Sequence, residues 1–140
     1  MFPTMVALVD NDAALLSLMD EILTDEGYRT RRWRGGDGCF AMLKQTMPDA
    51  VILDLRMEER LTGLALLDRI TGDPATRHIA VIICSGDRGT LNTYAAHLDT
   101  RHCTVLVKPF DSSELLATVR AAVPPVASQT VATAGDGCGA

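Results

Sequence analysis

The sequence predicts an α/β domain in which five parallel strands form one doubly wound sheet with helices on both faces. Three observations predict it. Short unbroken apolar runs recur, as at residues 50–53, and such runs suit strands buried on both faces. Between them apolar residues fall at helical spacing, as at Gly63, Leu66, Leu67 and Ile70. The runs also end on polar residues: Asp10, Asp54, Ser85 and Lys108.

Taken in order, residues 6–9 (VALV) form the first strand and Asp10 follows it. Leu15, Leu18, Met19, Ile22 and Leu23 mark the face of the first helix, which Gly27 closes. Residues 28–33 alternate weakly and read as a second, more exposed strand, followed by a turn at Gly35-Gly36. Phe40, Leu43 and Met47 give a second helix that stops at Pro48. Residues 50–53 (AVIL) are the clearest strand and end at Asp54. A loop runs through Thr62, and the third helix ends at Gly72-Asp73-Pro74. The fourth strand spans 79–84 and ends at Ser85-Gly86. Leu91, Tyr94, Ala95 and Leu98 predict one short fourth helix. The fifth strand spans 103–107 and ends at Lys108-Pro109. Asp111 and Glu114 fit a capping box for a last helix carrying Leu115, Leu116 and Val119.

The chain has 140 residues, enough for one core, and 47% of them are hydrophobic, which excludes a disordered chain. Aromatics make up 4%, so Leu, Val, Ile, Ala and Met must build the core. From Pro124 onward the composition turns to Pro, Ala, Ser, Thr and Gly without periodicity, which divides the chain into a domain at 1–123 and a disordered tail or truncated linker at 124–140. A net charge of -5 leaves no overall footprint for nucleic acid, and Arg29, Arg31, Arg32 and Arg34 are read as decorating an exposed strand. Cys39, Cys84, Cys103 and Cys138 lack zinc-site spacing. No signal peptide opens the chain and no apolar run is long enough to span a membrane, so the expectation is a soluble cytoplasmic protein with free thiols.

In an open parallel sheet, ligands bind at the carboxyl ends of the strands. Each polar residue at those ends has an ordinary explanation alone: Asp12 as a helix cap, Ser85 as a turn residue, Lys108 as a solvated charge. Their joint placement outweighs these, and Asp54, following four apolar residues, is hard to dismiss even singly. Carboxylates are hard oxygen ligands suited to Mg²⁺, a lysine pairs with a phosphoryl group, and a hydroxyl donates to a phosphoryl oxygen.

Val9-Asp10-Asn11-Asp12, Ile52-Leu53-Asp54-Leu55-Arg56-Met57, Ile83-Cys84-Ser85-Gly86 and Val107-Lys108-Pro109-Phe110 resemble, in order, the four signatures of CheY-like response regulator receiver domains of two-component signalling. The resemblance covers residues 4 to 123 and implies the flavodoxin-like strand order 2-1-3-4-5. It implies that Asp54 accepts a phosphoryl group from a sensor histidine kinase or phosphotransfer protein, that Ser85 bonds that group, and that Lys108, before a cis Pro109, pairs with it. It implies Mg²⁺ held by Asp10, Asp54 and the backbone carbonyl of Arg56, with Asn11 or Asp12 as a further candidate ligand. Implied partners are the kinase and a downstream protein or a missing effector domain, with no membrane and no nucleic acid bound directly. A homodimer would form through the face of helix four, strand five and helix five, here including Tyr94, Val105 and residues near Leu115. The chain is then a signalling phosphoacceptor rather than an enzyme.

Three departures stand out. Asn11 replaces the usual second carboxylate, Val105 replaces the usual switch Tyr or Phe, and the loop through Glu58-Glu59-Arg60-Leu61-Thr62 is longer and lacks the usual proline. Asn11 and Val105 support a rival reading, a degenerate receiver that docks partners without phosphorylation. An enzyme rival is a haloacid-dehalogenase-like phosphatase with Asp10 as nucleophile, Asp12 as acid/base, and Ser85 and Lys108 in support. It leaves Asp54 unused, and only one helix and a tail follow Lys108. A flavodoxin is unsupported, because no phosphate-binding loop rich in Ser, Thr and Gly follows the first strand.

Overall fold

The computed structural model describes residues 4–57 and 60–123, so the tail read at 124–140, Cys138 and the Glu58-Glu59 pair lie outside the described residues. The elements alternate as β1 (Met5–Val9), α1 (Ala13–Asp25), β2 (Arg29–Trp33), α2 (Cys39–Thr46), β3 (Ala50–Asp54), α3 (Thr62–Gly72) and β4 (Ala80–Ser85). They continue as α4 (Arg88–Thr93), α5 (Ala95–Thr100), β5 (Thr104–Val107) and α6 (Ser112–Ala122). The strands form one parallel sheet in the order β2-β1-β3-β4-β5, as the resemblance implied.

The order follows from burial. Every residue of β3 is buried, which only a central strand with both faces covered allows. Its side chains alternate between two cores. Val51 and Leu53 meet Leu43, Leu67 and Ile70, while Ala50 and Ile52 meet Leu16, Met19, Leu115 and Val119. Each large aliphatic side chain so buried contributes on the order of 2 kcal/mol. β2 is an edge strand, and its exposed Arg29, Arg31 and Arg32 discourage pairing with another chain. Arg32 also ties the strand to α1 through Asp20 (3.5 Å) and the Ser17 hydroxyl (3.2 Å).

Helix ends follow their caps. Asp12 accepts from the amides of Ala14 and Leu15 and starts α1, and Gly27, at φ 95°, follows its end in a conformation that L side chains avoid. Asp111 and Glu114 form the expected capping box of α6. Among the described residues no helix is long and apolar enough to cross a membrane.

Three expectations need correction. The buried face of α1 is Leu16, Met19 and Leu23, whereas Leu18 is 49% exposed. α2 buries Cys39, Met42 and Leu43; Met47 lies past its end at φ 48° and is exposed, because Pro48 bars right-handed helix there. The single fourth helix is two six-residue helices that meet at Tyr94, whose φ of -104° and ψ of 15° break the repeat.

Candidate functional site

β1 and β3 are neighbours, so Asp10 just past the one and Asp54 at the end of the other emerge side by side. The β3–β4 register sets Asp54 against Cys84, and Ser85 follows at the end of β4. The Ser85 carbonyl accepts from the Lys108 amide at 2.9 Å, which brings the lysine to the same rim. The peptide joining Lys108 to Pro109 is cis.

The side chains converge. The Lys108 ammonium donates to Asp10 Oδ2 at 2.9 Å and lies 3.5 Å from Asp54 Oδ2. Asp10 is 1% exposed, and its Oδ1 accepts from the Asp12 amide at 2.9 Å. Asp54 is 7% exposed, and its Oδ1 accepts a long bond, 3.4 Å, from the Arg56 amide. The asymmetry has an electrostatic consequence. Burial, and then the negative charge of Asp10, push the Asp54 carboxyl up to about 6, with Lys108 and the Arg56 amide opposing them. Burial alone would lower the Lys108 ammonium, but its bond to Asp10 and the charges of Asp10 and Asp54 raise it. The ammonium thus serves mainly Asp10, and Asp54 is left undercompensated.

When both carboxyls are ionised, the pocket holds two negative charges against one positive charge. That excess, on hard oxygen donors at a strand-end opening, fits a Mg²⁺ ion that keeps several water or phosphoryl ligands. Among the described residues no group of three His, Cys, Asp or Glu side chains is clustered for a metal, so further protein ligands to such an ion would have to be carbonyl or amide oxygens. Asn11 is exposed beside Asp10, and its carbonyl accepts from Arg34 at 3.4 Å. Asp12 uses Oδ1 for the α1 cap, as its ordinary reading expected.

Ser85 is buried, and its hydroxyl oxygen accepts from the Asp87 amide at 3.1 Å. Asp87 in turn caps α4 through the Thr90 amide (3.0 Å) and hydroxyl (2.6 Å). Those bonds, and then the Arg56 guanidinium, hold its carboxyl below the usual range. Cys84 is buried next to Asp54, and burial raises its thiol to about 12, so it is inert at neutral pH.

Two contributors were not legible as such. The Arg56 side chain crosses the pocket rim, with Nε 3.6 Å from Asp87 Oδ2 and an Nη2 donor 3.2 Å from the Thr90 hydroxyl. The sequence offers Asp87 and Thr90 at cap spacing but no sign of the arginine that meets them. Gly63 falls at helical spacing in the sequence, yet its first role is proximity. Its amide donates to the Leu55 carbonyl at 3.0 Å, and a Cβ there would lie 1.9 Å from the Asp54 carbonyl oxygen. The longer loop is pinned where Met57 and Arg60 exchange two backbone bonds of 2.9 Å. Val105, 41% exposed, borders a separate cavity of about 390 Å³ with Leu91, Ala95, Leu98 and Cys103. The geometry weighs against Asp10 as a phosphatase nucleophile, since both its oxygens are bonded and it is almost fully buried.

Comparison with known proteins adds to this geometry. The response regulator receiver domain family matches residues 6–120. The nitrogen assimilation regulatory protein NtrX of Azorhizobium caulinodans is 31% identical over 112 residues, covering 79% of this chain and 24% of that protein. The phosphate regulon transcriptional regulatory protein PhoB of Rhizobium meliloti is 32% identical over 135 residues, covering 94% of this chain and 58% of that protein. The chain therefore spans about a quarter of the one relative and little more than half of the other. Among solved structures, NtrX from Brucella abortus in complex with ATP is 29% identical with a TM-score of 0.74, over 97% of this chain and 30% of that one. The Vibrio cholerae chemotaxis protein CheY4, 21% identical with a TM-score of 0.76 over 86% of this chain and 98% of its own, shares the fold.

Proposed function

The chain belongs to the response regulator receiver domain family of two-component signalling modules, and from that premise we propose that it accepts a phosphoryl group on Asp54. The observation that supports this most is the undercompensated carboxylate of Asp54, closing a wholly buried central strand beside Asp10 and Lys108.

A carboxylate oxygen of Asp54 attacks the phosphorus of a phosphohistidine on a histidine kinase or phosphotransfer protein. An O–P bond forms, the P–N bond breaks, and the leaving imidazole nitrogen keeps the electron pair. The bond changes need no further catalytic group, so the protein's work is positioning and charge neutralisation. Lys108 pairs with a phosphoryl oxygen. Ser85 donates its hydroxyl hydrogen to another, while its oxygen goes on accepting from the Asp87 amide. Asp10 holds Lys108 in place. Asp10, Asp54 and the Arg56 carbonyl, with Asn11 or Asp12 as a further ligand, would hold Mg²⁺. When bound, that ion supplies further neutralisation of phosphoryl charge. The partners under this reading are a cytoplasmic histidine kinase and a downstream protein or effector domain. The face of α4, α5, β5 and α6, with Tyr94 and Val105, serves partner binding or self-association.

Incubation with acetyl phosphate and Mg²⁺ should yield one acid-labile, hydroxylamine-sensitive phosphate, absent from Asp54→Asn. Undiminished labelling of that variant refutes the assignment. A second reading, a phosphorylation-independent docking module, draws on Asn11 and on Val105, which has no ring to turn inward. No acyl phosphate at any Mg²⁺ concentration would select it.

A further inference from the structure

We propose that the end of the sheet opposite Asp54 carries a second anion site, one that takes a phosphate ester or polyphosphate. The strands are parallel, so the connections that enter β4 and β5 lie at the end away from Asp54. There a cavity of about 390 Å³ is lined by Arg77 and His78 from the α3–β4 connection, and by Arg101 and His102 from the α5–β5 connection. Its volume lies within the range of small-ligand pockets.

The cations are poorly neutralised for a chain of net charge -5. Arg101 pairs through Nε with Asp68 at 3.0 Å, and Asp68 also meets His97 Nε2 at 2.7 Å. That pair anchors one edge of the guanidinium and leaves its other N–H donors for a ligand. Among the described residues the side chains of Arg77, His78 and His102 have no ion pair or hydrogen bond. Two arginines from separate connections present forked donors, and two imidazoles add N–H donors in either charge state. That is the donor chemistry of phosphate recognition.

Cations near the C-terminal ends of α3 and α5 also complement the helix dipoles, but this accounts neither for the cavity nor for the backbone of His102. His102 sits at φ 57°, where glycine would end α5 without steric cost. A side chain kept in a strained position at the rim of a basic cavity points to a use for that side chain.

The test is an amide-resolved NMR titration of the whole chain with inorganic pyrophosphate and with ADP, without Mg²⁺ and at constant ionic strength. Saturable shifts should centre on residues 77–81 and 100–103. Tighter binding of ADP would identify a nucleotide ligand, and tighter binding of pyrophosphate an inorganic one; both support the site. Arg77→Ala should weaken binding about tenfold. His102→Gly should weaken it severalfold while raising the midpoint of thermal unfolding, so that lost affinity cannot be ascribed to lost structure. Shifts confined to the surroundings of Asp10, Asp54 and Lys108 would overturn the proposal. So would shifts reproduced by sodium chloride alone, or unchanged affinity in both variants.

Discussion

Gly63→Ala tests whether the start of α3 sets the position of Asp54. The added methyl carbon would lie 1.9 Å from the Asp54 carbonyl oxygen and 2.7 Å from the Leu55 Cα, both backbone atoms. Contacts below 3.0 Å are essentially never seen for a Cβ, so the helix start must retreat by about 1 Å. The retreat stretches the bond of 3.0 Å from the Gly63 amide to the Leu55 carbonyl. Overpacking of this kind costs about 1–3 kcal/mol, and loss of a buried backbone bond adds about 1–2 kcal/mol. The expected destabilisation is therefore on the order of 2–5 kcal/mol, measured by urea unfolding followed through Trp33 fluorescence. Where the variant still folds, a reacting carboxylate displaced by 1 Å should slow phosphorylation by acetyl phosphate by about 100-fold. Gly72→Ala is the control: it lies at the other end of α3 with open space around its Cβ, and should be neutral or stabilising by up to about 1 kcal/mol. A Gly63→Ala protein as stable and as reactive as the parent would refute the reasoning.

Other perturbations separate the remaining contributions. Burial and the charge of Asp10 push the Asp54 carboxyl up to about 6 in the folded chain from an ordinary value of 3.8, so the native state binds more protons between those values, and this group's contribution to stability falls as pH rises through that window. Asp54→Asn should accordingly raise stability at pH 7 by about 1–3 kcal/mol and flatten the pH dependence between 4 and 6, as read by denaturant titration. In the parent, acyl-phosphate formation at low Mg²⁺ should rise with pH and level off above about 6; a flat profile would mean that Asp54 is already ionised at lower pH. Asn11→Asp should tighten Mg²⁺ in calorimetry by adding a carboxylate, and unchanged affinity would show that Asp12 or a backbone oxygen fills that position. Arg56→Ala should speed amide exchange across α4 while leaving α5 protected, since α5 is held to α3 by Asp68; equal loosening of both would contradict separate anchoring.

What the sequence disclosed was what long-range packing does not alter. An unbroken run such as residues 50–53 has to be buried on both faces, and the polar residue after it has to sit at the sheet's carboxyl end. Asp10, Asp54, Ser85 and Lys108 were legible for that reason. The errors arose where one pattern admits two solutions. The leucine-rich start of α1 offers Leu15, Leu16 and Leu18 alike, and only docking on the sheet decides that Leu16 is buried and Leu18 exposed. Leu91 and Leu98 are both buried, so the break at Tyr94 leaves the periodicity intact. The bridge from Arg56 to Asp87 joins residues more than 30 positions apart, and the close approach of Gly63 depends on a backbone that no side-chain pattern reports.

The joint at Tyr94 changes how force travels along this edge of the molecule. A continuous helix is a lever: displacing one end swings the other. Two six-residue segments are links, each about 9 Å long, and each takes its stability from what it is fastened to rather than from its own turns. The first link is fastened beside Asp54, through Arg56 and Asp87, and the second to α3, through Asp68. A push at Ser85 is therefore expected to move the first link more than the second. A partner that reads the state of Asp54 from this edge is expected to rest on Arg88–Thr93, because the residues beyond Tyr94 are moored separately, to α3 through Asp68.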